Sequence, residues 1–159
     1  MKKILFITAL ASSLMFGSTI DKGLSYLDNG KTKEAFSEFL KLAKSGDKDA
    51  QTLLGEMYLD GIGVNIDQKK AFFWIQKAAN QGDKEAQYLL GFMYENGLGT
   101  KKDIKKAVAW YEKAANKGDI MAMYNLAFIY KSGAAGVKKD IKKAISLLDK
   151  VEKQKEKAL

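Results

Sequence analysis

The chain has 159 residues, 47% hydrophobic and 29% charged, a length and balance that suit one soluble domain with a sizeable core. It contains no His, Cys or Pro. That removes Ser–His–Asp triads, thiolate nucleophiles and Cys/His zinc sites, and leaves Gly as the punctuation between helices. The formal net charge is +8 and all 27 basic residues are Lys; without Arg to fork onto bases or phosphates, nucleic acid is not an expected partner.

Met1-Lys2-Lys3 leads into apolar Ile4 to Ala11, then Ser12-Ser13-Leu14-Met15-Phe16-Gly17-Ser18. A positive start, an apolar run too short to span a bilayer and small residues after it have the layout of a secretory signal peptide. The alternative is a buried or interfacial first helix. The expectation is a signal peptide over residues 1–19, cleaved between Gly17 and Ile20, and a periplasmic or secreted mature chain with no transmembrane segment. No Cys follows to accept a lipid.

Residues 20–159 repeat themselves. Lys48–Asp83 and Lys84–Asp119 align without a gap, with Gly55 over Gly91, Trp74 over Trp110 and 21 of 36 positions identical. A shorter copy occupies approximately 21–47, where Gly23 and Tyr26 match Gly55 and Tyr58. A further copy covers approximately 120–156, with one extra residue in its Gly133–Gly136 turn. Each full unit reads as two helices. Ala50, Leu53, Leu54, Met57 and Tyr58 form the apolar stripe of the first, and Ala71, Trp74, Ile75 and Ala78 that of the second. Gly61 and Gly63, with Gly97 and Gly99, stop the first helices, and Asp67, Asp103 and Asp140 stand where an N-cap carboxylate belongs. Gly46-Asp47, Gly82-Asp83 and Gly118-Asp119 repeat that stop-and-cap pattern between units. Gly55 and Gly91, inside helices, predict close approach of a neighbouring helix. No unit buries both stripes alone, so the units stack, and the polar Glu152–Lys157 end predicts a solvated cap.

The run Leu54, Gly55, Tyr58, Gly61, Gly63, Asp67, Ala71, Trp74, Ala78, Ala79 and Gly82, with its images one repeat later, resembles the Sel1-like repeat. The first unit, with Gly30 to Phe36, is closer to a tetratricopeptide repeat. The resemblance implies an all-α fold of about eight helices wound as a right-handed α-α superhelical solenoid and used as a binding scaffold. More distantly, the chain is similar to the Helicobacter cysteine-rich proteins, Sel1-type proteins described as penicillin-binding β-lactamases. That family pairs one Cys near the end of each second helix with one in the next first helix; the matching positions here are Ala79 with Gln87 and Ala115 with Met123. β-Lactam hydrolysis is therefore the alternative function, carried by resemblance alone.

Other motifs compete with plainer explanations. Gly61-x-Gly63 and Gly97-x-Gly99 lack the strand and Gly-Lys-Ser/Thr of a phosphate loop and recur with the repeat, as turns do. Ser45-Gly46-Asp47-Lys48 has the S-x-x-K spacing of penicillin-recognising serine enzymes but lies in an inter-repeat turn without S-D-N or K-T-G. Trp74 and Trp110 read as core. Lys101, Lys102, Lys105 and Lys106 recur as Lys138, Lys139, Lys142 and Lys143, with Lys69 and Lys70 before them. Such a ridge is either a solvated face or a binder of an anionic cell-envelope surface. Off the core stripe of the first helices stand Tyr88 and Phe92, and one repeat later Tyr124 and Phe128. With Glu56, Asp60, Glu95 and Lys131 beside them, they predict a concave groove for a protein or peptide partner; the alternative is that tight curling buries the rings. No catalytic residue, cofactor or metal is expected. The function expected is an exported, non-catalytic scaffold that binds through Tyr88, Phe92, Tyr124, Phe128, Glu56 and Glu95.

Overall fold

The computed structural model describes residues 19–134 and 136–157. The signal-peptide expectation lies outside these residues except for Thr19. Among the described residues there are eight helices and no strand: α1 (Thr19–Asp28), α2 (Thr32–Lys44), α3 (Lys48–Asp60), α4 (Gln68–Asn80), α5 (Lys84–Asn96), α6 (Ile104–Asn116), α7 (Ile120–Ser132) and α8 (Ile141–Glu156). Each packs chiefly on the next in chain order, which makes a solenoid of helical hairpins.

The helix ends follow the sequence pattern. Asp47, Asp83 and Asp119 accept the N–H of Ala50, Ala86 and Ala122 at 2.7–2.8 Å and open α3, α5 and α7. Asp67, Asp103 and Asp140 do the same for Lys70, Lys106 and Lys143 at 2.9–3.0 Å and open α4, α6 and α8. Each such cap is worth about 1 kcal/mol. Gly61, Gly97 and Gly133 close the first helices in the left-handed conformation.

Stacking explains the mid-helix glycines. A Cβ on Gly55 would stand 2.5 Å from Ile75, and one on Gly91 2.6 Å from the Tyr111 ring. Only Gly lets α4 and α6 lie that close to α3 and α5, and that contact offsets the lost helix propensity. The turns also stack: Gly63 seats on the Thr32 carbonyl and Gly99 on that of Gln68, so tightly that a Cβ would meet the oxygen at 2.2 and 2.1 Å. On the opposite edge, Gln51 and Gln87 donate to the carbonyls of Ala43 and Ala79 at 3.1 and 3.2 Å. Ala79 and Gln87, which match a Cys pair in the cysteine-rich proteins, are thus joined here by a hydrogen bond.

The core runs through the stack from Phe39 through Leu54, Ile75, Leu90 and Tyr111 to Val151, all essentially inaccessible. Trp74 is buried but Trp110 is only partly so, with the Lys113 ammonium 3.7 Å from its ring centre. The two ends differ from expectation. On α8 the polar end from Glu152 is solvated, yet Ile141, Ile145 and Leu148 are exposed as well. They occupy the register of Ile104, Val108 and Tyr111, and a following repeat would cover them. On α1, Lys22 and Ser25 are exposed where later repeats bury Leu54 and Met57.

Candidate binding face

The face in question belongs to α3, α5 and α7. Its side chains fall in columns one repeat apart: Thr52, Tyr88 and Tyr124; Glu56, Phe92 and Phe128; Leu59, Glu95 and Lys131. The helical period places the first two columns one turn apart, off the stripe that packs on α4, α6 and α8.

The structure divides each aromatic pair. Phe92 is 37% exposed and Phe128 69%, and Met121 beside them is exposed too. Tyr88 and Tyr124 are half-buried against the core. Curling therefore takes up the tyrosines and leaves the phenylalanines in solvent. Glu56 shares the column of Phe92 and Phe128 rather than flanking it. It is largely buried, and that burial, followed by the carboxylates of Glu85, Asp60 and Asp83, pushes its carboxyl up to about 8. Glu85 and Asp49, though exposed at the surface, are also raised, first by partial desolvation and next by the Asp83 carboxylate. Along the column direction the face thus runs from carboxylates on α3 to aromatics on α5 and α7, with Lys131 beyond.

Glu95 is engaged from within. Tyr111, on α6, reaches between layers over Gly91: its hydroxyl donates to Glu95 Oε2 at 2.6 Å and accepts from Asn125 Nδ2 at 3.0 Å. Burial first, then the Glu95 carboxylate, raises the Tyr111 hydroxyl well above its usual range, so it remains a donor. The Tyr88 ring lies 5.8 Å from that of Tyr111. Tyr111 thus links α5, α6 and α7 and steadies the backbone beneath both phenylalanines. Sequence reading missed it because its image one repeat earlier is Ile75; the available clue was a hydroxyl that must find a partner once buried. Tyr124 accepts a hydrogen bond from Lys155 of α8 at 2.9 Å.

Ser45 is exposed in its turn and donates to the Leu42 carbonyl at 2.7 Å. Among the described residues no group of three His, Cys, Asp or Glu side chains could hold a metal ion, and no helix is long and apolar enough to cross a membrane.

Residues 48–83, 84–119 and 120–158 each match the Sel1 repeat. The chain belongs to the Sel1 repeat family. Among solved structures, this Sel1 repeat chain is similar to a protective antigen of uropathogenic Escherichia coli strains that displays an SLR fold, with 34% identity and a TM-score of 0.82. It is also similar to a Sel1 repeat protein from Oxalobacter formigenes, with 34% identity and a TM-score of 0.78. The matches take in 86% and 84% of this chain but only 30% and 54% of those two chains. The chain matches no curated protein sequence. Sel1 repeats are scaffolds that commonly mediate protein interaction, and this chain has that architecture.

Proposed function

We propose that this Sel1 repeat chain is an exported scaffold that holds an extended protein or peptide segment across α5 and α7, with Phe92 and Phe128 as its anchors. The observation that carries this reading is a pair of phenylalanines in one register column, exposed on helices whose other large apolar side chains are mostly covered. Exposed rings one repeat apart, above half-buried tyrosines, form the kind of apolar strip that buries alternate side chains of an extended ligand. Asp60 at the end of α3 and Lys131 on α7 give the strip a direction: basic ligand residues toward α3, acidic ones toward α7. Export rests on the layout of the first 19 residues, and the likeness to a protective antigen supports it.

A photo-crosslinking amino acid placed at Phe92, Phe128 or Phe73 tests this in the producing cell. Phe73 is 48% exposed but sits on α4, away from the strip. The expected result is one partner, crosslinked through one segment from positions 92 and 128 and absent from position 73. No crosslink from the strip, or equal yield from position 73, overturns the reading.

A further inference from the structure

The charge of this molecule is concentrated in three places. Turn segments 61–70, 97–106 and 133–143 together hold ten lysines, three aspartates and no glutamate, a net +7 in a chain whose total is +8. They stack along one edge, since each turn lies on the start of the preceding second helix: Gly63 on the Thr32 carbonyl, Gly99 on that of Gln68 and Gly136 against the Lys105 side chain.

Folding accounts for only part of this edge. The three aspartates are N-caps. Three residues after each, a lysine lies over a tyrosine of its own repeat: Lys70 over Tyr58 at 5.4 Å, Lys106 over Tyr94 at 5.3 Å and Lys143 over Tyr130 at 4.9 Å. The remaining lysines have no such task. Among the described residues Lys101, Lys102, Lys138 and Lys139 in the turns, and Lys105 and Lys142 at the helix starts, form no ion pair and are exposed. At a helix start the backbone dipole favours carboxylates, as with Asp49 on α3 and Glu85 on α5, whereas α4, α6 and α8 have no acidic residue in their first turns. A local rule broken three times in register calls for a cause outside the fold.

Solubility is not a sufficient cause, because the same edge exposes isoleucine. Ile66 is 64% exposed in an open concavity it shares with Lys69 and Lys101. Ile141, the first residue of the open α8 face, adds an apolar tip to the corresponding concavity one repeat further along, beside Lys139 and Lys142. A solvated face has no use for Ile66, which lies outside the open α8 face, and a soluble polyanion would engage the lysines and ignore both isoleucines. An anionic leaflet takes both, with headgroup phosphates on the ammonium groups and the headgroup–acyl boundary around the apolar tips.

We propose that the lysine-rich turn edge is a docking surface for anionic phospholipid, which leaves Phe92 and Phe128, on another face, free for their partner. The test is co-sedimentation of the full chain with vesicles of phosphatidylcholine alone or with about 30 mol% phosphatidylglycerol. One variant carries Lys101→Gln, Lys102→Gln, Lys138→Gln and Lys139→Gln. A control removes the same charge elsewhere through Lys44→Gln, Lys48→Gln, Lys84→Gln and Lys153→Gln, and circular dichroism confirms that both fold. Expected is a loss of partitioning onto anionic vesicles of about tenfold or more for the edge variant, a much smaller loss for the control, and no difference on neutral vesicles. Ile66→Ser with Ile141→Ser should also lower vesicle partitioning several-fold while leaving binding to soluble polyphosphate unchanged. Equal losses in edge variant and control would reduce the effect to net charge and overturn the proposal. So would edge-dependent binding to polyphosphate without edge-dependent binding to vesicles, which identifies a soluble polyanion instead.

Discussion

The two turn edges of the solenoid share one plan and differ in charge. Between repeats, Asp47, Asp83 and Asp119 cap α3, α5 and α7, and Asp49 and Glu85 follow in the first turn of α3 and α5. Within repeats, Asp67, Asp103 and Asp140 cap α4, α6 and α8, and lysine pairs follow. One carboxylate per helix satisfies the backbone on both edges, so capping does not dictate the charge that comes next. On the first edge Asp49 and Glu85 balance the adjacent Lys48 and Lys84; on the second the lysine pairs stand unbalanced and oppose the helix dipole. A feature that agrees with folding physics says little about function, whereas one that opposes it marks a surface to test.

The comparison can be broken at several points. The largest effect should come from the stacking of the lysine edge. Gly99→Val puts a β-branched residue at φ +68°, with its Cβ 2.1 Å from the Gln68 carbonyl oxygen. It should cost about 3 kcal/mol or more in urea unfolding, and a cost under about 1 kcal/mol would mean that the turns do not seat as described.

The acidic side should show its crowding in the pH dependence of stability. Glu56 has an ordinary value of 4.5 and is pushed up to about 8 in the fold. Between those values the unfolded chain has released a proton that the native state keeps, so stability falls as pH rises from about 4.5 to 8 and then levels. Melting temperatures of the wild type and Glu56→Gln across that range should converge at the acid end and separate toward pH 8, with the variant higher. Parallel curves would remove Glu56 as the cause.

Capping itself should differ between edges. Asp83 Oδ1 accepts from the Thr52 hydroxyl of α3 at 3.1 Å as well as from Ala86 of α5. Asp103 serves only its own helix start and the Lys106 ammonium at 3.7 Å. Asp83→Ala should therefore cost about 2 kcal/mol and Asp103→Ala about 1 kcal/mol. Equal costs would show that the bond from Thr52 on α3 adds nothing.

The smallest effect sharpens the contrast most. Lys105→Glu or Lys142→Glu places a carboxylate in the first turn of α6 or α8 and should raise stability by about 0.5 kcal/mol in low salt, less in high salt. A stabilising change that also weakens vesicle binding would show that the edge holds its charge against the interest of the fold.

Several of these features could be read from the repeat alone. Gly55 and Gly91 announced a close helix contact because nothing else compensates glycine inside a helix, and Ile75 and Tyr111 make that contact. The column of Phe92 and Phe128 was visible too, since a 36-residue period keeps equivalent positions on one face. Other features were hidden. Glu56 belongs to that exposed column, and among the carboxylates that raise it Glu85 and Asp83 lie nearly a repeat away in sequence. Tyr111 stands in an apolar core position, and its partners Glu95 and Asn125 lie on two different helices that meet only when the repeats stack.

The sequence by itself determined the eight-helix pattern, the capped boundaries and the family, because period, Gly and Asp act locally and repeat. Tertiary structure alone decided which aromatics stay in solvent, which carboxylate keeps its proton and that the lysine turns share one edge. Those outcomes depend on the distance between side chains in successive repeats, and only the packing of one hairpin on the next sets that distance.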